Sequence, residues 1–302
     1  MPTEARHDVL YRELSIVDAK EMIDIASPLL QEVINFATHV FVRCISYSDG
    51  DENVDLAPYA LYRHIMELTD GIEVLVSKAC PSPAIPLLRS SFEGLLALEY
   101  ILEDSKSYVH RSLSWLTSYV IKRLNIYETL ISTTDRGHEF LRAIEEDKNV
   151  RDFPLPPQDE IQDAIDNLHS LLSRNQFREI ILERSKCARE PKWYSMFDGP
   201  KNLRELSRYL SRTAQYDVLY RQWSMSTHAQ DFSPFITRDL QGEPAIRGLR
   251  ETKSIKKVTV FATTFLLDAT RILIEKFHPG EPWGNWYLRE VRERYSYFGK
   301  NL

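Results

Sequence analysis

The chain has 302 residues, which is long enough for one large domain or two smaller ones. Its hydrophobic fraction of 43% and charged fraction of 27% are those of an ordinary folded protein, which excludes disorder over most of its length. The formal net charge of −6 provides no overall attraction for a polyanion, so nucleic-acid binding would need a local basic patch.

Cysteine usage and apolar runs narrow the class of protein further. Cys44, Cys80 and Cys187 are widely separated and form no C-x-x-C pair, which argues against a disulfide framework and a cysteine zinc site. The first residues, MPTEARHDVLYREL, have no apolar core of a signal peptide, and no uninterrupted run approaches the roughly 18 apolar residues of a spanning helix. We therefore expect a cytoplasmic protein.

The chain contains ten glycines, and its apolar residues recur at intervals of three and four, so we predict an all-α helical bundle. The predicted helices cover residues 16–47, 57–79, the segment from the CPSPAIP break to 104, 108–130, 135–148, 159–187, 203–210 and 253–277, with a polar helix at the end. Residues 234–248 predict a loop or small hairpin, and Trp283 and Trp286 should anchor the tail. We expect a single helical domain over 1–302, with 135–211 as a candidate peripheral helical insertion.

In the acidic stretch 48–55, Asp and Asn side chains stand at alternate positions, as they do at the start of a calcium loop. Its sixth position is Val54 where the calcium loop needs glycine, and its twelfth is Ala60 where that loop needs glutamate. We therefore predict a solvated loop that ends at Asp55.

A polar pair interrupts the apolar segment LLRSSFEGLLALEYIL, which is expected to form a central helix. The pair is Arg89 and Glu93, and their spacing of four residues places both on one face of the helix. Polar groups inside a core must be hydrogen-bonded or they reduce stability, so this pair requires partners.

A second polar stripe lies in YDVLYRQWSMSTH, residues 216–228. At about 100° per residue, Arg221, Ser224 and His228 share one side of a helix. We predict that this helix packs against the one bearing Arg89 and that the two share a polar pocket. Tyr220 approaches the same pocket and could stack on a base there.

Arg221 and His228, with six residues between them, fit the loose arginine–histidine pattern of the HEPN nucleotide-binding and ribonuclease domains. That pattern separates a cation able to hold a phosphate from an imidazole able to move a proton. In HEPN chemistry the histidine is the base for a 2′-hydroxyl and the arginine stabilises charge on phosphorus without a metal. The resemblance thus implies that Arg221 and His228 are catalytic.

The combination of an Arg-x-x-x-Glu helix with a later Ser and His helix resembles a bacterial family catalogued as a domain of unknown function, which looks like a relative of HEPN bundles. Its recurring residues fall on Arg89, Glu93, Ser224 and His228, and the resemblance covers residues 61–229. It implies a binding role for Arg89, Glu93, Tyr220 and Ser224, RNA or a nucleotide as partner, a homodimer, no cofactor, and a setting of stress or phage defence.

The alternative interpretation is a non-catalytic helical scaffold or small-ligand-binding protein, in which Arg89, Glu93, Arg221 and His228 only organise the core. No histidine pair has zinc-site spacing, and the glycine-rich nucleotide motifs are missing from the sequence, so neither a metal nor a cofactor is expected. A basic cluster could follow a phosphate backbone or form a solvated helix start; it consists of Arg247, Arg250, Lys253, Lys256 and Lys257.

Overall fold

The structure is a computed structural model that describes residues 12–47, 52–150, 154–187, 189–227, 236–238, 241–246, 249–250, 252–277 and 283–299. Most of these residues are helical, which confirms the predicted all-α class. The α-helices are α1 (Arg12–Asp18), α2 (Lys20–Tyr47), α3 (Glu52–Ser77), α4 (Ala84–Leu102), α5 (Tyr108–Leu130), α6 (Asp135–Glu146), α7 (Gln158–Leu172), α8 (Arg178–Ser185), α9 (Leu203–Tyr209), α10 (Thr213–Gln215), α11 (Arg221–Thr227), α12 (Ile255–Phe277), α13 (Trp283–Trp286) and α14 (Arg292–Gly299).

Three other kinds of element complete the described chain. Short 3-10 turns occupy Asn175–Phe177, Trp193–Ser195 and Thr252–Ser254. Two π-helical turns occupy Tyr216–Tyr220 and Tyr287–Val291. Strands β1 (Ile236–Arg238) and β2 (Pro244–Ile246) pair antiparallel, which confirms the predicted small hairpin.

The described residues fall into two compact units. Unit 1 comprises those within 1–50, 58–103 and 206–302, and unit 2 those within 51–57 and 104–205. The expectation of a single domain with an insertion at 135–211 stays a prediction.

In unit 1, α12 packs against α2 and α4, while α11 packs against α4. Phe92 of α4 and Phe265 of α12 are fully buried, with ring centroids 5.5 Å apart, and Trp223 of α11 meets Phe265 edge-on at 6.1 Å. The apolar segment around Phe92 is therefore a central helix, as its composition predicted.

The C-terminal segment is anchored to α2 by its tryptophans, as predicted. Trp286 stacks on Phe36 with ring centroids 3.7 Å apart, and its Nε1 donates a hydrogen bond of 2.8 Å to Glu32. Trp283 lies 5.9 Å from the same Phe36 ring.

Helix α2 has a second property. Lys20–Ser46 is the one segment among the described residues that is long and apolar enough to cross a membrane by length and composition alone. A count of uninterrupted apolar residues misses it because Ser27, Gln31 and Glu32 break the run. The core helix of a globular protein and a signal sequence meet the same criterion.

Unit 2 is built on α5, whose bounds are those predicted. Its apolar stripe is buried where α6, α7 and α8 pack on it. The predicted solvated loop ending at Asp55 is wrong in its last part, because α3 begins at Glu52 and Asp55 is buried, accepting a hydrogen bond of 2.5 Å from Tyr108. The buried phenol donor lowers the cost of burying the Asp55 side chain.

Candidate functional site

The structure joins Arg89, Glu93 and Tyr220 in one hydrogen-bonded cluster, the RYE cluster. Nη2 of Arg89 donates to the Tyr220 hydroxyl at 2.9 Å, and that hydroxyl donates to Oε1 of Glu93 at 2.9 Å. The ion pair closes the ring, with Nε of Arg89 3.2 Å from the same Glu93 oxygen. The predicted contact between the two helices is therefore formed through Tyr220.

The cluster lies at the edge of the core. The Arg89 side chain is 19% exposed and that of Glu93 44%, so the carboxylate keeps access to solvent. The guanidinium carbon of Arg89 lies 4.8 Å from the centre of the Tyr220 ring, close enough for a cation–π contact. Tyr216 stacks on the outer side of the same phenol, with ring centroids 5.0 Å apart.

Burial and charge fix the protonation states of the cluster. Burial raises the pKa of the Tyr220 phenol, the bond from Arg89 opposes that rise, and the charge of Glu93 adds to it. Burial acts to lower the pKa of Arg89, but the phenol and Glu93 together outweigh it and the pKa is raised. Tyr220 therefore remains a neutral donor and Arg89 a cation around neutral pH.

The backbone that presents Tyr220 is a π-helical turn rather than an α-helix. The N–H of Arg221 donates to the carbonyl of Tyr216, five residues earlier, so the turn at Tyr216–Tyr220 is wider than an α-turn. Leu219 and Trp223, 8% and 1% exposed, hold its inner side in the core. Turns of this kind recur at functional sites.

The place of Arg221 in the predicted pocket stays a prediction. The Arg221 side chain is exposed at the first residue of α11. The reason is geometric: with Leu219 and Trp223 facing the core, Arg221 is about 180° away from them at 100° per residue. Ser224 is half-buried, and His228 lies outside the described residues, so its position in the pocket stays a prediction.

A second charged cluster in unit 1 was missed by the sequence interpretation. Arg212, with a side chain 11% exposed, forms ion pairs with Glu99 and, at 2.9 Å, with Asp268. It also donates to Gln215 at 3.1 Å, just before the π-helical turn. The signal was available, because Glu99 and Asp268 are single charges inside the apolar runs LLALEYIL and FLLDAT.

Comparison with known families identifies the chain's relatives. The model of a family of unknown function, DUF5677, matches residues 55–243. The chain belongs to this family. An uncharacterised family is what the resemblance predicted, and the DUF5677 match contains the whole RYE cluster. No curated protein and no solved structure matches the chain.

Within the described ranges, no three His, Cys, Asp or Glu side chains are grouped so that they could hold a metal ion. The partly exposed carboxylate of Glu93 could bind a ligand at the RYE cluster, and Arg221, the residue after Tyr220, has an exposed side chain.

Proposed function

We propose that the chain is a HEPN-like RNA-binding protein with metal-independent endoribonuclease activity carried by Arg221 and His228. The observation that supports this proposal is the RYE cluster, which ties the residue immediately before Arg221 to α4. The cluster thus fixes the start of α11 while Arg221 itself is exposed to a ligand. The proposal includes a homodimer, a cytoplasmic location and a role in stress or phage defence.

Charge around Arg221 favours a phosphate as the ligand. Arg221 forms no ion pair with any residue that the structure describes. The ammonium of Lys257, on the first turn of α12, lies 3.5 Å from Oε1 of Gln222, the next residue along from Arg221. Two cations on adjacent elements of an acidic protein provide the local patch that RNA binding requires.

In the proposed reaction His228 takes the proton from a 2′-hydroxyl, whose oxygen then bonds to the adjacent phosphorus. Arg221 stabilises the negative charge that develops on the phosphoryl oxygens. The bond from phosphorus to the 5′-oxygen breaks, and that oxygen takes a proton from solvent, leaving a 2′,3′-cyclic phosphate and a 5′-hydroxyl. Arg89, Glu93 and Tyr220 act as positioning residues. The role of His228 is supported by its spacing from Arg221 in the sequence.

The test is cleavage of single-stranded RNA by purified full-length protein in the presence of EDTA. Arg221→Ala and His228→Ala should abolish cleavage, whereas Arg63→Ala and His39→Ala, which change exposed residues on α3 and α2, should retain it. Equal cleavage by wild type and H228A, or no cleavage by either across a range of RNAs, would contradict the catalytic proposal.

A second measurement tests the positioning role. Tyr220→Phe keeps the ring beside Arg89 but removes the hydroxyl that joins Arg89 to Glu93. We expect kcat for RNA cleavage to fall and KM to stay nearly unchanged, because Arg221 still contacts the phosphate. A rise in KM at constant kcat would instead make Tyr220 a binding residue.

One observation favours the second candidate, a non-catalytic helical scaffold or small-ligand-binding protein. Arg89, Glu93 and Tyr220 already bind one another through two hydrogen bonds and an ion pair without any ligand. In that case Glu93→Ala lowers the free energy of unfolding, by about 1–2 kcal/mol given its partial exposure, and RNA neither binds nor is cleaved. RNA binding that depends on Arg221 would exclude it.

A further inference from the structure

Unit 1 contains a cavity of about 220 Å³ between α12 and the C-terminal helices. Its lining combines three aromatic rings with one carboxylate and one guanidinium beside Leu267; the polar and aromatic residues are Thr264, Asp268, Arg271, Trp283, Tyr287 and Tyr295. Ligand sites for drug-sized molecules begin near about 300 Å³, so this cavity matches a single ring system.

Two of the aromatic walls have similar orientations. The rings of Trp283 and Tyr287 are inclined by only 15°, with centroids 6.3 Å apart. Trp283 is held in place by contacts to Phe36 at 5.9 Å and to Trp286 at 5.6 Å. Tyr287 is the first residue of the second π-helical turn. These walls present fixed aromatic surface on which a flat ring can stack.

The third aromatic residue carries an oriented hydroxyl. The Thr264 hydroxyl donates its one proton to the carbonyl of Val260 at 2.7 Å. It must therefore accept at its 2.7 Å contact with the hydroxyl of Tyr295, which makes Tyr295 the donor there. The Tyr295 oxygen can therefore still accept a hydrogen bond, but its proton is already donated to Thr264.

The charged side chains of the lining also have hydrogen-bonding atoms available for a ligand. Oδ2 of Asp268 accepts from Arg212 at 2.9 Å, and its Oδ1 forms no hydrogen bond with a described residue. Arg271 is 46% exposed and uses Nη1 to bind Glu275 at 2.8 Å, which leaves other N–H donors of its guanidinium. The cavity thus offers acceptors inside and a cationic donor at its rim.

We propose that this cavity binds the base of a nucleotide. The base stacks on Trp283 and Tyr287, its N–H groups donate to Asp268 and Tyr295, and the phosphate contacts Arg271 at the rim. The two charged residues of the lining, Asp268 and Arg271, are opposite in sign. A neutral base therefore fits it better than an organic cation, which would find no net attraction.

This site shares no residue with the one proposed for RNA cleavage, and its lining lies after residue 243, where the DUF5677 match ends. Loss of nucleotide binding here and loss of cleavage through Arg221 and His228 can therefore be measured separately.

The experiment is calorimetric titration of the full-length protein with AMP, GMP, CMP, UMP and ribose 5-phosphate. AMP, GMP and CMP carry an exocyclic amine for Asp268, so we expect them to bind more tightly than UMP. Ribose 5-phosphate has no base and should bind at least about tenfold more weakly, since stacking on an aromatic side chain has roughly that effect or more.

Matched variants locate the binding. Tyr287→Leu should weaken AMP binding by about tenfold, and Tyr297→Leu, which changes an exposed tyrosine outside the cavity, should not. Arg271→Gln should weaken AMP but leave free adenosine unchanged, while Arg289→Gln, another arginine paired with a glutamate, should change neither. Trp283→Phe keeps an aromatic wall and should keep binding while abolishing most quenching of tryptophan fluorescence.

The proposal is overturned if none of the four nucleotides binds at millimolar concentration to wild type with an intact near-UV circular dichroism spectrum. It is equally overturned if ribose 5-phosphate binds as tightly as AMP, because the site would then recognise phosphate alone. Binding of tetramethylammonium in place of nucleotides would show an aromatic cage for cations instead.

Discussion

Arg212 lies between two carboxylates in unit 1, and its replacement by methionine is the most informative stability experiment. Its side chain is 11% exposed, while those of Glu99 and Asp268 are 21% and 29% exposed. Arg212→Met keeps most of the side-chain volume and removes the charge. It leaves two acidic groups close together without their shared cation.

Loss of one partner from a buried ion pair costs about 3–5 kcal/mol. Because both carboxylates keep some solvent contact, we expect the lower end, about 3 kcal/mol of unfolding free energy at neutral pH. Burial already raises the pKa of Glu99, and Arg212 opposes that rise. In the variant this pKa is therefore higher still.

The sign of the pH dependence follows from that shift. A carboxyl with a folded pKa above its unfolded value binds protons more readily in the folded state, so its contribution to stability improves as pH falls. The deficit of Arg212→Met should therefore shrink as the pH is lowered from neutrality toward the ordinary glutamate range, near about 4.3.

The assay is urea unfolding of wild type and variant at several pH values. Arg63→Met is the matched control, since Arg63 pairs with Glu67 at 2.8 Å with both side chains more than 60% exposed, and it should cost at most about 0.5 kcal/mol. If R212M costs no more than R63M, or if its deficit stays constant with pH, the reasoning about buried charge is refuted.

Two further substitutions test packing, one in each unit. Trp286→Phe keeps an aromatic ring on Phe36 but removes the N–H that bonds Glu32, so thermal unfolding should show a loss of about 1 kcal/mol. Gly137→Ala should destabilise unit 2, because a Cβ at this position would lie 1.7 Å from the carbonyl oxygen of Ile131. We expect urea unfolding to show a loss of several kcal/mol, on the order of that caused by overpacking a core. Stability equal to that of wild type would contradict the close approach.

Much of the fold follows from apolar spacing. The bounds of α5 were predicted to the residue, and α12 was predicted to within two residues at its start. The beginning of α3 was missed because Asp55 was taken as a solvated acid, whereas its partner Tyr108 is 53 positions away in the sequence. The spacing of apolar residues indicates which face of a helix is buried. It does not indicate which distant donor lowers the cost of burying an acidic side chain.

The site was predictable in part for the same reason. Arg89 and Glu93 were recognisable because a polar pair in an apolar helix needs partners, and Tyr220 was among the residues expected beside them. The exposure of Arg221 was recognisable as well, because Leu219 and Trp223 share one face at 100° per residue and Arg221 lies opposite them. The π-helical turn at Tyr216–Tyr220 was not recognisable. The hydrogen-bond register of a helix leaves no mark in the pattern of apolar residues.

Helix α2 could not both pack in unit 1 and span a bilayer. In unit 1 its polar groups have partners: Ser27 and Gln31 bond Glu73 at 2.5 and 2.9 Å, and the Ala37 carbonyl accepts from the buried Tyr62 hydroxyl. The same helix is long and apolar enough to span a bilayer. A chain that inserted α2 into a bilayer would remove these groups from their partners, and it would expose the face of α12 that packs on α2. Insertion of α2 and folding of unit 1 therefore exclude each other.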